Sequence, residues 1–125
     1  MVYNFAYSFE NICLKHILPI KKELGIANVY TTHSSWSDSE YQIDLIIERD
    51  DNRINLCELK FYSTPFSIDS NYLTELRNKI NHFKEKSKTK KGVYLTMITT
   101  YGIKTNTQSL SIVENSLTAG CLFKN

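Results

Sequence analysis

The sequence has few of the cysteine and histidine residues that stabilise small extracellular or zinc-binding folds through disulfides or metal ligation. Its three cysteines, at positions 13, 57 and 121, are odd in number and include no CxxC pair. Cys13 and Cys57 lie in apolar runs, where cysteine serves as a small buried hydrophobe in a reducing compartment. With three histidines and no clustered Cys/His spacing, a structural zinc site is not expected.

Long apolar runs are also absent. None approaches the ~20 residues that span a bilayer, and the N-terminus lacks the basic and apolar regions of a signal peptide. We therefore expect a cytoplasmic protein with no membrane partner. The net charge of +2 is too small by itself to indicate a polyanionic partner. A chain of 125 residues suits a single domain with one core, over residues 1–125.

The most informative stretch runs from Gln42 to Lys60, and it predicts two apolar strands joined by a polar turn. Centring the turn on Asp51 places Asp44 opposite Glu58. Strand alternation puts Lys60 on the same face as Glu58. Opposed carboxylates about 5 Å apart repel each other unless a cation lies between them. A divalent cation that prefers oxygen ligands, such as Mg²⁺, would satisfy them. The alternative is an exposed strand face on which Asp44 pairs with Lys60.

Two helices are predicted around this hairpin. The first covers residues 8–24, with a kink or break at Pro19 and an end at Gly25. It carries Glu10, which taken alone is an ordinary first-turn acid that complements the helix dipole. The second covers residues 69–87 and begins at Asp69 as N-cap. Its apolar face is formed by Tyr72, Leu76, Ile80 and Phe83, and its other face by Arg77, Lys79, Lys84 and Lys86.

The remaining segments are assigned more simply. Strands are expected over residues 28–33 and 92–100, a polar connection over 34–40, and a loop over 61–68. Trp36 in the connection either stacks on a base or, as is commoner, covers the edge of its own core. The tail is ambiguous, with an edge strand over residues 110–113 and a short helix over 117–123 as one reading.

A run of lysines follows the second helix. A solvated surface and a patch that contacts DNA phosphates both fit this pattern, and the sequence does not separate them. The candidates are Lys84, Lys86, Lys88, Lys90 and Lys91.

Glu10 on a helix, Asp44 on a strand and Glu58-Leu59-Lys60 on the next strand resemble the motifs of the PD-(D/E)XK, or restriction-endonuclease-like, nuclease superfamily. The resemblance implies an α/β fold, with a central mixed β-sheet flanked by helices and an αβββαβ core. It also implies that Glu10, Asp44 and Glu58 hold Mg²⁺ or Mn²⁺ and that Lys60 lies beside the attacking water. Gln42-Ile43-Asp44 stands in place of a Pro-Asp pair, which is a common variation.

A closer resemblance is to the C-terminal nuclease-like region of a bacterial and archaeal family of AAA-type ATPases. It is carried by residues 9–17, 42–61 and 94–104. It implies an ATPase domain as partner, in the full-length protein or in trans. The chain contains no G-x-x-x-x-G-K-[ST] phosphate loop, so it is either a fragment or a stand-alone relative. The family places an Asp-Asp pair before a terminal Leu-Phe, and here Gly120-Cys121 stands there.

Together these observations favour a metal-dependent endodeoxyribonuclease with Asp44, Glu58, Lys60 and Glu10 as catalytic residues. The rival is a catalytically silent DNA- or protein-binding regulatory module of an AAA-type ATPase, because a fold does not fix a function. A third reading is a dimerisation domain, with a second copy of the chain as partner.

Overall fold

The computed structural model describes Cys13 and residues 15–120. Their helices and strands, in chain order, are α1 (Ile17–Glu23), β1 (Thr31–Ser37), β2 (Gln42–Arg49), β3 (Arg53–Lys60), α2 (Ser70–Ser87), β4 (Gly92–Thr99), α3 (Thr107–Ile112) and β5 (Val113–Thr118). The predicted α/β class, with a central mixed sheet flanked by helices, is confirmed. None of the helices in this part of the chain is long and apolar enough to cross a membrane.

The five strands form one sheet in the order β1-β2-β3-β4-β5. β2 is antiparallel to both β1 and β3, whereas β4 is parallel to both β3 and β5. The predicted hairpin register is confirmed at all four paired positions, from Leu45↔Cys57 to Glu48↔Ile54. Asn52 takes a left-handed conformation at the turn, with φ 66°. Asp44 and Glu58 stand one step beyond the last paired position.

Helices cover both faces of the sheet. On one face, α1 buries Ile20 in a cluster with Leu45, Cys57 and Ile98. On the other face, α2 contributes Leu76, beside Leu95 and Met97, and Phe83, beside Ile54 and Leu56. Because alternate residues of a strand share a face, Glu58 and Lys60 point to the same side as Leu56, towards α2.

The helical segment is broken, but at His16 and not at Pro19 as predicted. His16 is outside the helical conformation, with φ −119° and ψ 47°, and α1 begins at Ile17. Pro19 therefore lies in the first turn, where no intrahelical N–H is required. Gly25, with φ 76°, ends the helix as predicted: its N–H donates to the Lys22 carbonyl and that of Ile26 to the Lys21 carbonyl.

Two segments differ from prediction. β1 begins at Thr31 and includes residues 34–37, which were expected to be a connection. It is an edge strand held by backbone pairing to β2, so its polar side chains remain in solvent. In the tail, α3 starts at a capping box between Asn106 and Ser109. The strand expected over residues 110–113 and the helix expected from Leu117 are therefore wrong; β5 occupies Val113–Thr118, and residues 121–123 lie outside the described part.

A candidate acid–lysine site at the end of the central strands

Glu58 is a buried carboxyl group on the central strand β3, with 3% of the residue exposed. Its Oε1 accepts a hydrogen bond from Lys79 Nζ of α2 at 2.7 Å, and the two side chains form a buried ion pair. Burial raises the pKa of Glu58 and the nearby charge of Asp44 raises it further, while Lys79 and, more weakly, Lys60 lower it. The alternative of an exposed strand face is wrong at this position.

Asp44 lies at an irregularity in β2. The pairing of β2 with β1 shifts by one residue between Ser34↔Ile46 and Trp36↔Ile43, which is a β-bulge. Asp44 is half-buried inside it, and its Oδ2 accepts the backbone N–H of Leu59 at 3.1 Å. The bulge and this hydrogen bond direct the Asp44 side chain towards β3, where it contacts Leu59, the residue after Glu58.

Lys60 does not pair with either carboxylate. Among the ion pairs of the described residues, none involves Lys60, and its Nζ lies 5.0 Å from the ring centroid of Tyr72 and 5.9 Å from that of Phe66. These are cation–π distances, so the ammonium is held beside the site by aromatic faces. The alternative in which Asp44 pairs with Lys60 is therefore wrong.

Two buried hydroxyl groups near Lys60 make no hydrogen bond in the described structure. They are Tyr72 Oη and Thr99 Oγ1. Thr99 is the register partner of Lys60 on β4, and burial, followed by the charge of Glu58, raises the pKa of Tyr72. Buried polar atoms are nearly always satisfied, so this place suits a water molecule or a polar ligand atom.

The donor set fits a divalent cation in its chemistry. Lys79 uses one oxygen of Glu58 and Leu59 uses one oxygen of Asp44, while Glu58 Oε2 and Asp44 Oδ1 receive no hydrogen bond from the described residues. Carboxylate oxygens are the ligands that Mg²⁺ prefers. The described residues contain no group of three or more His, Cys, Asp or Glu arranged to hold a metal. The third predicted acid, Glu10, lies outside them.

The lysine run lies at the other end of the sheet. Gly92, just after it, pairs with Arg53 at the start of β3, about 17 Å along the strand from Glu58. Lys91 is already engaged there, with its Nζ 3.0 Å from Glu48 Oε2 and 2.8 Å from the carbonyl of Arg49. The other four members, Lys84, Lys86, Lys88 and Lys90, are exposed.

Sequence reasoning missed Lys79, which was assigned to the exposed face of the second helix. A usable signal was present, because Lys79 stands three residues after Leu76 and four before Phe83, which is the spacing of the buried stripe. Trp36 follows the commoner of its two readings, since its ring packs edge-on against Phe83 with 5.7 Å between centroids.

Comparisons with protein-family models, with curated protein sequences and with solved structures return no match for this chain.

Proposed function

We propose that this chain is a metal-dependent nuclease domain of the restriction-endonuclease-like type, which hydrolyses DNA phosphodiesters. The observation that carries the proposal is the convergence of Asp44 and buried Glu58 at the ends of β2 and β3, with Lys60 on the same face. The strand order, with an antiparallel hairpin followed by a parallel β4, agrees with the core that the sequence resemblance implies.

Each residue then has a role that follows from its contacts. Asp44 and Glu58 would hold Mg²⁺ or Mn²⁺ through their remaining oxygens, with Glu10 as a third acid. The bound cation would stabilise negative charge on the phosphodiester as a Lewis acid. Lys79 would keep buried Glu58 ionised and oriented. Lys60 would orient the attacking water, near the unsatisfied hydroxyls of Tyr72 and Thr99.

One observation favours a second candidate, a DNA- or protein-binding module without turnover, attached to an ATPase. Glu58 is already neutralised by Lys79, and Lys60 rests on aromatic rings. A site whose charges are internally satisfied needs no cation to be stable. The two candidates therefore differ in catalysis and need not differ in fold.

The test is cleavage of supercoiled plasmid and of a four-way DNA junction in Mg²⁺ or Mn²⁺. Wild type is compared with Glu58→Ala, and the matched control is Glu85→Ala, because Glu85 is an exposed acid on α2. We expect metal-dependent nicking that Glu58→Ala abolishes and Glu85→Ala retains. Cleavage that survives Glu58→Ala would refute the site, and DNA binding without cleavage by wild type would favour the silent module.

A further inference from the structure

Two exposed tyrosines lie just beyond the ends of the central strands β3 and β4. Tyr62 and Tyr101 are 50% and 63% exposed. Lys60 and Thr99 are the last register partners of β3 and β4, so Tyr62 and Tyr101, each two residues further on, follow the ends of two neighbouring strands. This end of the sheet is the one that carries Glu58 and Lys60.

The backbone around this tyrosine pair is fixed by Thr100. Its hydroxyl accepts the N–H of Tyr62 at 2.9 Å and donates to the carbonyl of Tyr62, and its own N–H donates to the carbonyl of Lys60. Hydrogen bonds between Tyr62 and Thr100 therefore hold the two tyrosine-bearing segments together at the end of the sheet. A preorganised display lowers the entropy lost when a ligand binds.

Aromatic contacts link this surface to the candidate site. The ring of Tyr62 meets Phe66 edge-on with 5.4 Å between centroids, and Phe66 meets Tyr72 in the same way at 5.5 Å. Lys60 Nζ lies over both Phe66 and Tyr72. A ligand seated on Tyr62 would therefore lie one aromatic contact away from the lysine of the site.

The loops that carry the two tyrosines add positive charge and no negative charge to this end. Residues 61–68 and 99–106 contain one lysine, Lys104, and no aspartate or glutamate, and the neighbouring carboxylate of Glu58 is paired with Lys79. Lys104 is exposed, and its backbone N–H donates to the carbonyl of Phe66 at 2.8 Å. Lys104 therefore flanks the aromatic surface. Exposed aromatic rings beside a cation are the combination that binds single-stranded nucleic acid, whose bases stack while its phosphates meet the charge.

We propose that Tyr62 and Tyr101 stack on unpaired bases of a single-stranded nucleic acid and that Lys104 contacts its phosphates. The inference rests on the proposed function and narrows its substrate to strands with unpaired bases. In a duplex the bases stack on each other and offer no free face until they are flipped out. The surface is separate from the lysine run at the opposite end of the sheet.

The experiment is fluorescence anisotropy with a labelled oligothymidine and a labelled DNA hairpin duplex, without divalent cations so that no cleavage intervenes. The variants are Tyr62→Ala, Tyr101→Ala and the Phe substitutions that keep each ring. The matched control is Tyr30→Ala, because Tyr30 is 72% exposed but lies at the turn end of the sheet, where its carbonyl accepts the N–H of Asp50.

We expect the wild type to bind oligothymidine more tightly than the duplex. Each Ala variant should weaken single-strand binding about tenfold, while the Phe variants and Tyr30→Ala keep wild-type affinity. An oligouridine probe distinguishes RNA from DNA as the strand. Equal affinity for duplex and single strand, absence of single-strand binding, or equal loss in Tyr30→Ala would each overturn the inference.

The result of this binding experiment can be distinguished from the result of the cleavage test of the proposed function. Tyrosine-dependent single-strand binding without any metal-dependent cleavage would support this surface and move the chain to the binding-module reading. Cleavage that depends on Glu58, with unchanged single-strand affinity in both Ala variants, would keep the nuclease and overturn the tyrosine surface.

Discussion

At the scale of single residues, Glu58 carries the most demanding chemistry. A buried carboxylate is costly unless it is paired, and its first compensating charge is Lys79 rather than the nearer-in-sequence Lys60. The position tolerates a charged group because α2 delivers an ammonium to it. A buried carboxyl group with a perturbed pKa and only one of its two oxygens hydrogen-bonded is a candidate for a functional site.

Lys79→Met tests this dependence. In the folded protein the pKa of Glu58 is raised, so folding takes up a proton between the ordinary carboxyl pKa and the raised one. The stability that Glu58 contributes is therefore lost as pH rises through that window. Without Lys79 the pKa rises further, and we expect a loss of roughly 3 kcal/mol in free energy of unfolding at about pH 8 and a smaller loss at about pH 5.

Urea unfolding at the two pH values measures this difference. Lys79→Arg, which keeps the charge, should lose less. Adding Glu58→Gln to Lys79→Met should recover stability at the higher pH, because the unpaired charge is gone. A Lys79→Met loss of equal size at both pH values would show that packing, and not charge, is what Lys79 provides.

At the scale of elements, α2 decides whether Lys79 reaches Glu58. The helix begins at Asp69, whose Oδ1 accepts the N–H of Tyr72 at 2.8 Å. That cap fixes the first turn and the position of Tyr72 beside Lys60. It was predicted from the sequence because Asp before a periodic apolar stripe is a strong start signal.

Asp69→Ala should lower the free energy of unfolding by about 1 kcal/mol, because one N–H at the start of α2 loses its partner. Thermal or urea unfolding measures the change. The control is Asp50→Ala in the exposed β2–β3 turn, which should change stability by less. An Asp69→Ala protein as stable as wild type would show that packing of Leu76 and Phe83 alone positions the helix.

The sequence predicts those features of the helices and strands that depend on residues close together in the chain. The β2–β3 register follows from turn chemistry and alternation, both of which act over a few residues, so the pairing from Leu45↔Cys57 to Glu48↔Ile54 is predicted correctly. The bulge around Asp44 depends on pairing with β1, which is a polar edge strand without an apolar pattern. β5 is likewise an edge strand, defined by its parallel contact with β4, and its alternation of exposed and less exposed residues includes only two apolar side chains, Val113 and Leu117.

At the scale of the whole molecule, the sheet has two chemically different ends. Asp44, Glu58, Lys60 and the exposed tyrosines gather at one end, while the turn of the hairpin and the lysine run gather at the other. No local pattern predicts this separation, because it arises when α2 runs back along β3, so that Gly92, just after the lysine run, pairs with Arg53 about 17 Å along the strand from Glu58. The convergence of Lys79 and Glu58, 21 residues apart in sequence, has the same origin.

Divalent-cation binding measures most directly whether Asp44 and Glu58 act together on one ion. Mn²⁺ titrated into the protein and followed by the electron paramagnetic resonance of the free ion should reveal a site in the wild type. Asp44→Asn and Glu58→Gln should each remove it, since both carboxylates contribute an oxygen, whereas Glu85→Gln should leave it intact. Absence of binding in the wild type, or binding that persists in both site variants, would contradict a cation site at these two carboxylates.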